Sequence, residues 1–227
     1  MLMVSVDAAE VERQLRAREL ACPDCDASLA PWGWAEGRRL RGRDGIITRG
    51  ARRSRCTAIG TTHVLLPVSA LRRRLDASET IVLALTAHAR GMGQRRVAIL
   101  VGRSEWTVRG WLRRARLLAA AIRDHFTRLG HERFGCDLRL EPLSTPLKDA
   151  LNVIGVVAKA ASQQLGPGPV WHFVAGATNG DLICNTSALF TQAPAGAHAH
   201  GNAVTASVIA TTAACTEGNA ANEERPP

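Results

Sequence analysis

Residues 93–116, Gly-Gln-Arg-Arg-Val-Ala-Ile-Leu-Val-Gly-Arg-Ser-Glu-Trp-Thr-Val-Arg-Gly-Trp-Leu-Arg-Arg-Ala-Arg, decide the fold of the middle of this chain. Apolar residues recur at helical spacing on both sides of Gly102, which predicts a short helix over 94–101 and a longer helix after the turn. Ser104 is placed to cap the second helix. The negative charge of Glu105 interacts favourably with the positive, N-terminal end of that helix. A short helix, a turn that contains glycine and a longer helix are typical of a helix-turn-helix.

The second helix of this motif carries arginines on its outward face. Arg109, Arg113 and Arg116 stand at i, i+4 and i+7, a spacing that places them on one side of a helix. If this helix enters a major groove, its first residues lie nearest the base edges and its other arginines lie nearest the phosphates. The predicted base-reading residues are Ser104, Glu105, Trp106, Thr107 and Arg109. The predicted phosphate contacts are Arg103, Arg113, Arg114 and Arg116. An ordinary helical hairpin with a solvated arginine face is the alternative.

Helical periodicity also extends to both sides of this motif. Asp76-Ala-Ser-Glu79 resembles a capping box and predicts a helix that ends near Gly91. The apolar pattern of residues 146–165 predicts another helix, and that of residues 6–19 predicts a short amphipathic one. Residues 170–174 fit either a strand or a short helix.

Between Cys22 and Pro67 the pattern changes to short extended pieces that predict small strands. These pieces are Trp32-Gly33-Trp34, 38–43, 46–49 and 63–66. The tryptophans Trp32, Trp34 and Trp171 are expected to lie in the core rather than at a contact surface. The region is too small and too charged to form a good core alone, so it is expected to need a metal or a neighbouring domain.

The charge of the chain is divided unevenly along its length. The formal net charge is +9 and the pI is about 10.4. Residues 1–134 carry 25 arginines against 13 acidic residues, whereas residues 135–227 carry four basic residues against seven acidic ones. Such an excess of positive charge in residues 1–134 is typical of a segment that binds a polyanion. An arginine-rich solvated surface that reflects GC-rich coding is the alternative.

Three cysteines have the spacing of an incomplete zinc ribbon. Cys22-Pro-Asp-Cys25 forms one C-x2-C knuckle, and Cys56-Thr-Ala-Ile59-Gly60 forms most of a second. The position of the fourth cysteine is occupied by Ile59. Either His63 supplies a substitute fourth ligand, or three thiolates hold zinc weakly or not at all. Because His63 lies seven residues past Cys56, the second alternative is the preferred expectation, and the candidate metal ligands are Cys22, Cys25, Cys56 and His63.

These motifs resemble those of known mobile-element proteins. The residues Val97, Gly102, Ser104, Thr107-Val108 and Trp111-Leu112 resemble the helix-turn-helix of bacterial transposases and site-specific recombinases. The layout of residues 11–129, including the strand Thr62-His-Val-Leu-Leu-Pro67, resembles a transposase-associated family of high-GC bacteria that joins a zinc ribbon to a helix-turn-helix. This resemblance implies DNA binding linked to a mobile element or to host transcription regulation, with a degenerate ribbon.

Several functional classes lack support in the sequence. No uncharged apolar run reaches the roughly 18 residues of a membrane span, and no signal pattern opens the chain, so a cytoplasmic, nucleoid-associated protein is expected. Asp181 and Glu217 have a spacing known from metal-dependent strand-transfer enzymes, but Glu217 lies in a low-complexity tail. No nucleophile is paired with an oriented His, and no phosphate-binding Gly loop occurs. The sequence therefore predicts no catalytic residues and no small-molecule substrate.

Together these patterns predict a mainly α protein with a small N-terminal β zinc-ribbon-like module and a homeodomain-like helix-turn-helix in the middle. The expected divisions are residues 1–75 (first helix and ribbon), 76–130 (helix-turn-helix), 131–190 (helical segment) and 191–227 (disordered tail). The expected function is sequence-specific binding of double-stranded DNA, and the alternative is a non-catalytic protein-interaction adaptor. The segment 131–190 is expected to mediate self-association, as in a homodimer, or contact with a partner protein.

Overall fold

A mixed four-stranded sheet forms the N-terminal part of the protein. The computed structural model describes residues 1–184, and at Arg49 the backbone alone. The strands are β1 (Leu2–Val4), β2 (Leu29–Arg41), β3 (Ile46–Cys56) and β4 (Thr62–Pro67). Their order in the sheet is β1-β4-β3-β2, in which only the β1–β4 pair is parallel. The long β2–β3 hairpin joins pieces that the sequence predicted as separate short strands, because Gly and Arg interrupt the alternation of apolar residues along it.

Six helices accompany this sheet in the described part of the chain. They are α1 (Ala8–Arg16), α2 (Ser78–Ala89), α3 (Gln94–Val101), α4 (Glu105–Phe134), α5 (Pro146–Leu165) and α6 (Val170–Ala177). The bounds predicted for α5 are confirmed, and residues 170–174 are helical. With this sheet the protein is a mixed α/β protein, so the prediction of a mainly α class is wrong. None of these helices combines the length and the apolar character that crossing a membrane requires.

The two faces of the sheet bury two separate apolar clusters. Leu2 and Val4 point to one face, where they pack with Val11 and Leu15 of α1. Met3 lies between them in sequence and packs in the main core on the other face. Successive side chains of a strand point to opposite faces, so the three residues of β1 serve both clusters. The sheet is thus covered on both sides at β1.

The segment after residue 130 belongs to the main core. Phe126 of α4 contacts Phe173 of α6, with 6.1 Å between the ring centroids. At Gly130 a Cβ atom would lie 2.9 Å from the Cγ2 atom of Val157, so the missing side chain allows α5 to approach α4 closely. The domain boundary expected at residue 130 therefore falls inside α4 and is wrong. Residues 185–190 of that predicted segment, and the tail 191–227, lie outside the described residues.

The turn before α4 is attached to the sheet by a buried carboxylate. The capping-box pattern of residues 76–79 predicts a cap from Asp76 or Ser78, but the N-cap of α2 is Ala77, which makes no side-chain cap hydrogen bond. The Asp76 carboxylate is buried and instead accepts hydrogen bonds from Arg41 at 2.8 Å and Arg103 at 2.6 Å. Arg103 also donates to the carbonyl oxygens of Arg41 and Gly42. These bonds join the end of β2 to the turn between α3 and α4.

Replacing Arg103 by Ala is expected to lower the free energy of unfolding by about 2–3 kcal/mol, because the buried Asp76 carboxylate then keeps only one cationic partner. Urea unfolding followed by circular dichroism measures this loss. Arg96, which is exposed on α3, provides the control: Arg96→Ala should change the stability by less than about 0.5 kcal/mol. Equal stability of the two variants would show that Asp76 does not hold the turn.

Candidate nucleic-acid interface and cysteine cluster

The start of α4 has the local geometry that its sequence predicts. Gly102 adopts a left-handed conformation with φ of 62° and ends α3. The Ser104 hydroxyl accepts a hydrogen bond from the Thr107 amide at 3.3 Å and caps α4. Glu105 forms an ion pair with Arg95 of α3 at 3.0 Å. Both the cap and this ion pair fix the direction in which α4 leaves the turn.

One side of the first turns of α4 is exposed and carries polar or aromatic groups. Trp106 is 78% exposed, which is unusual for so large an apolar side chain. The Arg109 guanidinium lies over the Trp106 ring, 5.4 Å from its centroid. Arg113 is also exposed, whereas Trp111 on the opposite side is buried. Among the predicted DNA-contacting residues, Trp106, Arg109 and Arg113 therefore share an accessible surface.

Three other arginines predicted to contact phosphates have partners in the protein, although Arg116 itself remains exposed. Arg103 has a side chain only 12% exposed and is held by Asp76. Arg114 donates from Nε to the Cys184 carbonyl oxygen at 3.0 Å. Arg116 lies 2.7 Å from Nε2 of His88 on α2. Helical spacing correctly placed Arg114 and Arg116 on α4, but it carries no information about partners from distant segments.

A cleft of about 540 Å³ lies beside the exposed side of α4. We call it the basic cleft, and it is lined by Arg41, Arg73, Arg74, Leu75, Asp76, Trp106, Thr107, Gly110, Trp111, Arg113, Arg114 and Leu117. Its single acidic residue is Asp76, whose two oxygens already bind arginines. A concave surface with five guanidinium groups attracts phosphate or carboxylate.

The contribution of Arg73 and Arg74 to the basic cleft was missed at the level of sequence. The run Arg72-Arg-Arg74 was visible there, but it precedes α2 and gives no sign that it packs near α4. Arg74 donates to the Ile183 carbonyl oxygen at 3.1 Å, and burial lowers its pKa. Gly110 faces open space, so no side chain narrows the cleft at that point.

Three cysteine thiols lie together at the other end of the β2–β3 hairpin. The Sγ atoms of Cys22, Cys25 and Cys56 all lie within 4.8 Å of one another, and those of Cys25 and Cys56 are 3.4 Å apart. These three residues could hold a metal ion. The amide of Ile59 donates to the Cys56 Sγ atom at 3.5 Å, so the second knuckle keeps its turn although Ile59 replaces the fourth cysteine. Cys136 and Cys184 do not belong to this cluster, and Cys215 lies outside the described residues.

His63 is buried next to the same cluster. It is 4% exposed, and its Nε2 atom lies 3.4 Å from the Cys22 Sγ atom and 3.8 Å from an Asp24 carboxylate oxygen. The sequence separation of His63 from Cys56 had argued against this proximity. The turn at Gly60 folds β4 back along β3 and pairs His63 with Ser54, two residues before Cys56. The pairing of β3 with β4 thus places the His63 imidazole beside the Cys22 thiol.

The surroundings of these groups set their protonation. Hydrogen bonding from the Ile59 amide is the main cause that lowers the pKa of Cys56 to about 7, whereas burial raises the pKa of Cys22 to about 11. Burial also lowers the pKa of His63, which favours the neutral imidazole. Metal ions bind thiolates and neutral imidazoles. A bound cation would therefore stabilise Cys22 as a thiolate, which burial alone disfavours.

Asp181 and Glu217, the acidic pair with strand-transfer spacing, are divided between the described and the undescribed residues. The Asp181 carboxylate accepts a hydrogen bond from Arg72 at 2.9 Å, and Glu217 lies outside the described residues.

No protein-family model, no curated protein and no solved structure matches this chain. The case for a function therefore depends on the chemistry of the surfaces described above.

Proposed function

We propose that this protein binds double-stranded DNA sequence-specifically, with α3 and α4 acting as a homeodomain-like helix-turn-helix. The observation that carries this proposal is the exposed side of α4, where Trp106, Arg109 and Arg113 border a cleft lined by five arginines. An α-helix fits the major groove of B-DNA, and arginines beside it neutralise the flanking phosphates. The resemblance of residues 11–129 to transposase-associated proteins points to the same activity.

Arg109 is the proposed base-reading residue. At the surface its contact with Trp106 is worth about 0.5–1 kcal/mol, whereas a bidentate contact with guanine contributes about 1–3 kcal/mol of discrimination. Leaving the Trp106 ring therefore costs the Arg109 guanidinium less free energy than its contact with a guanine edge contributes. Until then Trp106 holds it near the start of α4. Gly110, one position further along the helix, has no side chain to keep the backbone away from the groove.

The phosphate contacts are assigned to the basic cleft rather than to every arginine of α4. Arg113 and Arg73 are exposed at this cleft. Arg103 and Arg114 instead position the turn and the chain near Cys184. In this proposal the protein remains a non-enzymatic, nucleoid-associated DNA-binding protein that serves a mobile element or host regulation and acts as a homodimer. A non-catalytic adaptor without DNA binding is the competing function.

The full chain is expected to bind duplex DNA with an affinity that falls steeply with salt. If it neutralises about five phosphates, the slope of log K against log salt should lie near −4 to −5. The full chain is used because α5 and α6 complete the core around α4. Fluorescence anisotropy on a site selected from random duplexes measures the affinity.

Two arginine variants separate base reading from phosphate contact. Arg109→Ala should reduce discrimination between the selected and a scrambled duplex by about 1–3 kcal/mol, whereas Arg113→Ala should weaken both equally. Arg128→Ala, exposed in the later half of α4, is the control and should change neither. A flat salt response, or no binding at low salt, would favour the adaptor.

For the cysteine cluster we propose a structural zinc ion held by Cys22, Cys25 and Cys56, with His63 as the fourth ligand. The support is the buried Nε2 atom of His63, 3.4 Å from the Cys22 Sγ atom. Three sulfur ligands and one imidazole nitrogen match the preference of Zn²⁺ in closed structural sites. This proposal replaces the expectation, based on Ile59 and on the sequence distance between Cys56 and His63, that zinc is weakly held or absent.

The purified chain is expected to retain one zinc through mild chelation, and His63→Ala should weaken zinc binding roughly 100-fold. Four ligands together typically supply about 10–16 kcal/mol, of which one ligand is about a quarter. Zinc content is measured by elemental analysis against chelator concentration. Acidification should release the zinc, because protons compete for the thiolates and the imidazole.

His131→Ala, which removes an exposed imidazole at the end of α4, is the matched control for this experiment and should leave zinc retention unchanged. If His63→Ala keeps as much zinc as the parent, and Ile59→Cys alone makes binding tight, the fourth position is not filled by His63.

A further inference from the structure

Two tryptophans of β2 are exposed on the hairpin, away from the proposed duplex surface on α4. Trp32 is 51% exposed and Trp34 is 63% exposed, which contradicts the prediction that they lie in the core. A register shift between Pro31 and Gly33 leaves Trp32 out of the ladder of paired residues. By contrast, Trp171 is partly buried against the main core. The exposed indoles have no role in the fold's two apolar clusters.

Each exposed indole is stacked against an arginine of β3. The Arg55 guanidinium lies 4.5 Å from the Trp32 centroid, and that of Arg52 lies 4.9 Å from the Trp34 centroid. Arg52 is anchored by Glu12 at 2.8 Å, and Arg55 donates to the Gly60 carbonyl oxygen at 3.1 Å. Anchored side chains lose little further freedom when a ligand binds. The two pairs therefore form a preorganised aromatic and cationic surface.

The charge of this hairpin matches a polyanion. Residues 29–56 contain eight arginines and two acidic residues, Glu36 and Asp44. Exposed aromatic rings beside arginines are typical of surfaces that stack the bases of single strands, whereas in a duplex the bases are already stacked and paired. The stacked bases of a duplex offer no free faces to the two indoles.

We infer that the Trp32–Trp34 surface of the β2–β3 hairpin binds a single-stranded nucleic acid, with unpaired bases stacked on the two indoles. This binding goes beyond the proposed duplex recognition by α4 and does not depend on it. Arg41, at the far end of β2, lines the basic cleft. It lies seven positions along the strand from Trp34, which corresponds to about 23 Å. One molecule could thus hold a duplex and an adjoining unpaired strand.

The test measures the affinity of the full chain for a labelled oligothymidylate and for a duplex of mixed sequence, at the same salt concentration. Joint replacement of Trp32 and Trp34 by Leu should weaken oligothymidylate binding roughly 100-fold, about tenfold for each lost stack. Leu keeps an apolar side chain but cannot stack. Joint replacement by Tyr should retain most of the affinity, because Tyr stacks. Duplex affinity should change less than twofold in both variants.

Leu143→Ala is the control, since it removes an exposed apolar side chain that lies in neither proposed nucleic-acid surface and should leave oligothymidylate binding unchanged. Melting temperatures equal to that of the parent confirm that the variants are folded. The inference is overturned if the parent does not bind oligothymidylate, if binding survives both Leu replacements, or if Tyr rescues no better than Leu. Oligothymidylate binding that depends on the two indoles in a protein that ignores duplex DNA would instead support this inference and refute the proposed duplex function.

Discussion

The position of α4 relative to the sheet depends on the buried carboxylate of Asp76. Its two oxygens bind Arg41 from β2 and Arg103 from the turn before α4. A buried carboxylate is costly unless it is paired and hydrogen-bonded, so these three side chains stay together or the turn separates from the sheet. The same bonds place the end of the hairpin beside the exposed side of α4. The basic cleft exists because of this attachment.

The number of arginines alone does not indicate a function, because different arginines have different roles in the structure. Some arginines hold the fold: Arg103 binds Asp76, and Arg74 and Arg114 bind the carbonyl groups of Ile183 and Cys184. Others, such as Arg109 and Arg113, remain exposed beside aromatic or cleft residues. The two arginines bound to Asp76 share one negative charge, whereas Arg74 and Arg114 keep their positive charge but have fixed positions. The proposed interfaces are consequently smaller, and better defined, than the net charge of +9 suggests.

Strand pairing brings a histidine beside the cysteine cluster. Ile59 occupies the position of a fourth cysteine, yet its backbone amide still donates to Cys56. The antiparallel pairing of β3 and β4 brings His63 to the opposite side of the cluster, against Cys22. The sequence motif by itself indicates only that the fourth cysteine is missing. The fold supplies an imidazole from the neighbouring strand.

The sequence by itself determined the local structure: the bounds of α5, the short helix α3, the left-handed turn at Gly102 and the Ser104 cap of α4. Each depends on residues within a few positions, so periodicity and capping chemistry are sufficient. Only the tertiary structure decided that His63 meets the thiols, that Trp32 and Trp34 are exposed, that Arg103 is held inside, and that α4 continues past residue 130. Each of these depends on contacts between segments distant in sequence, which no local pattern records.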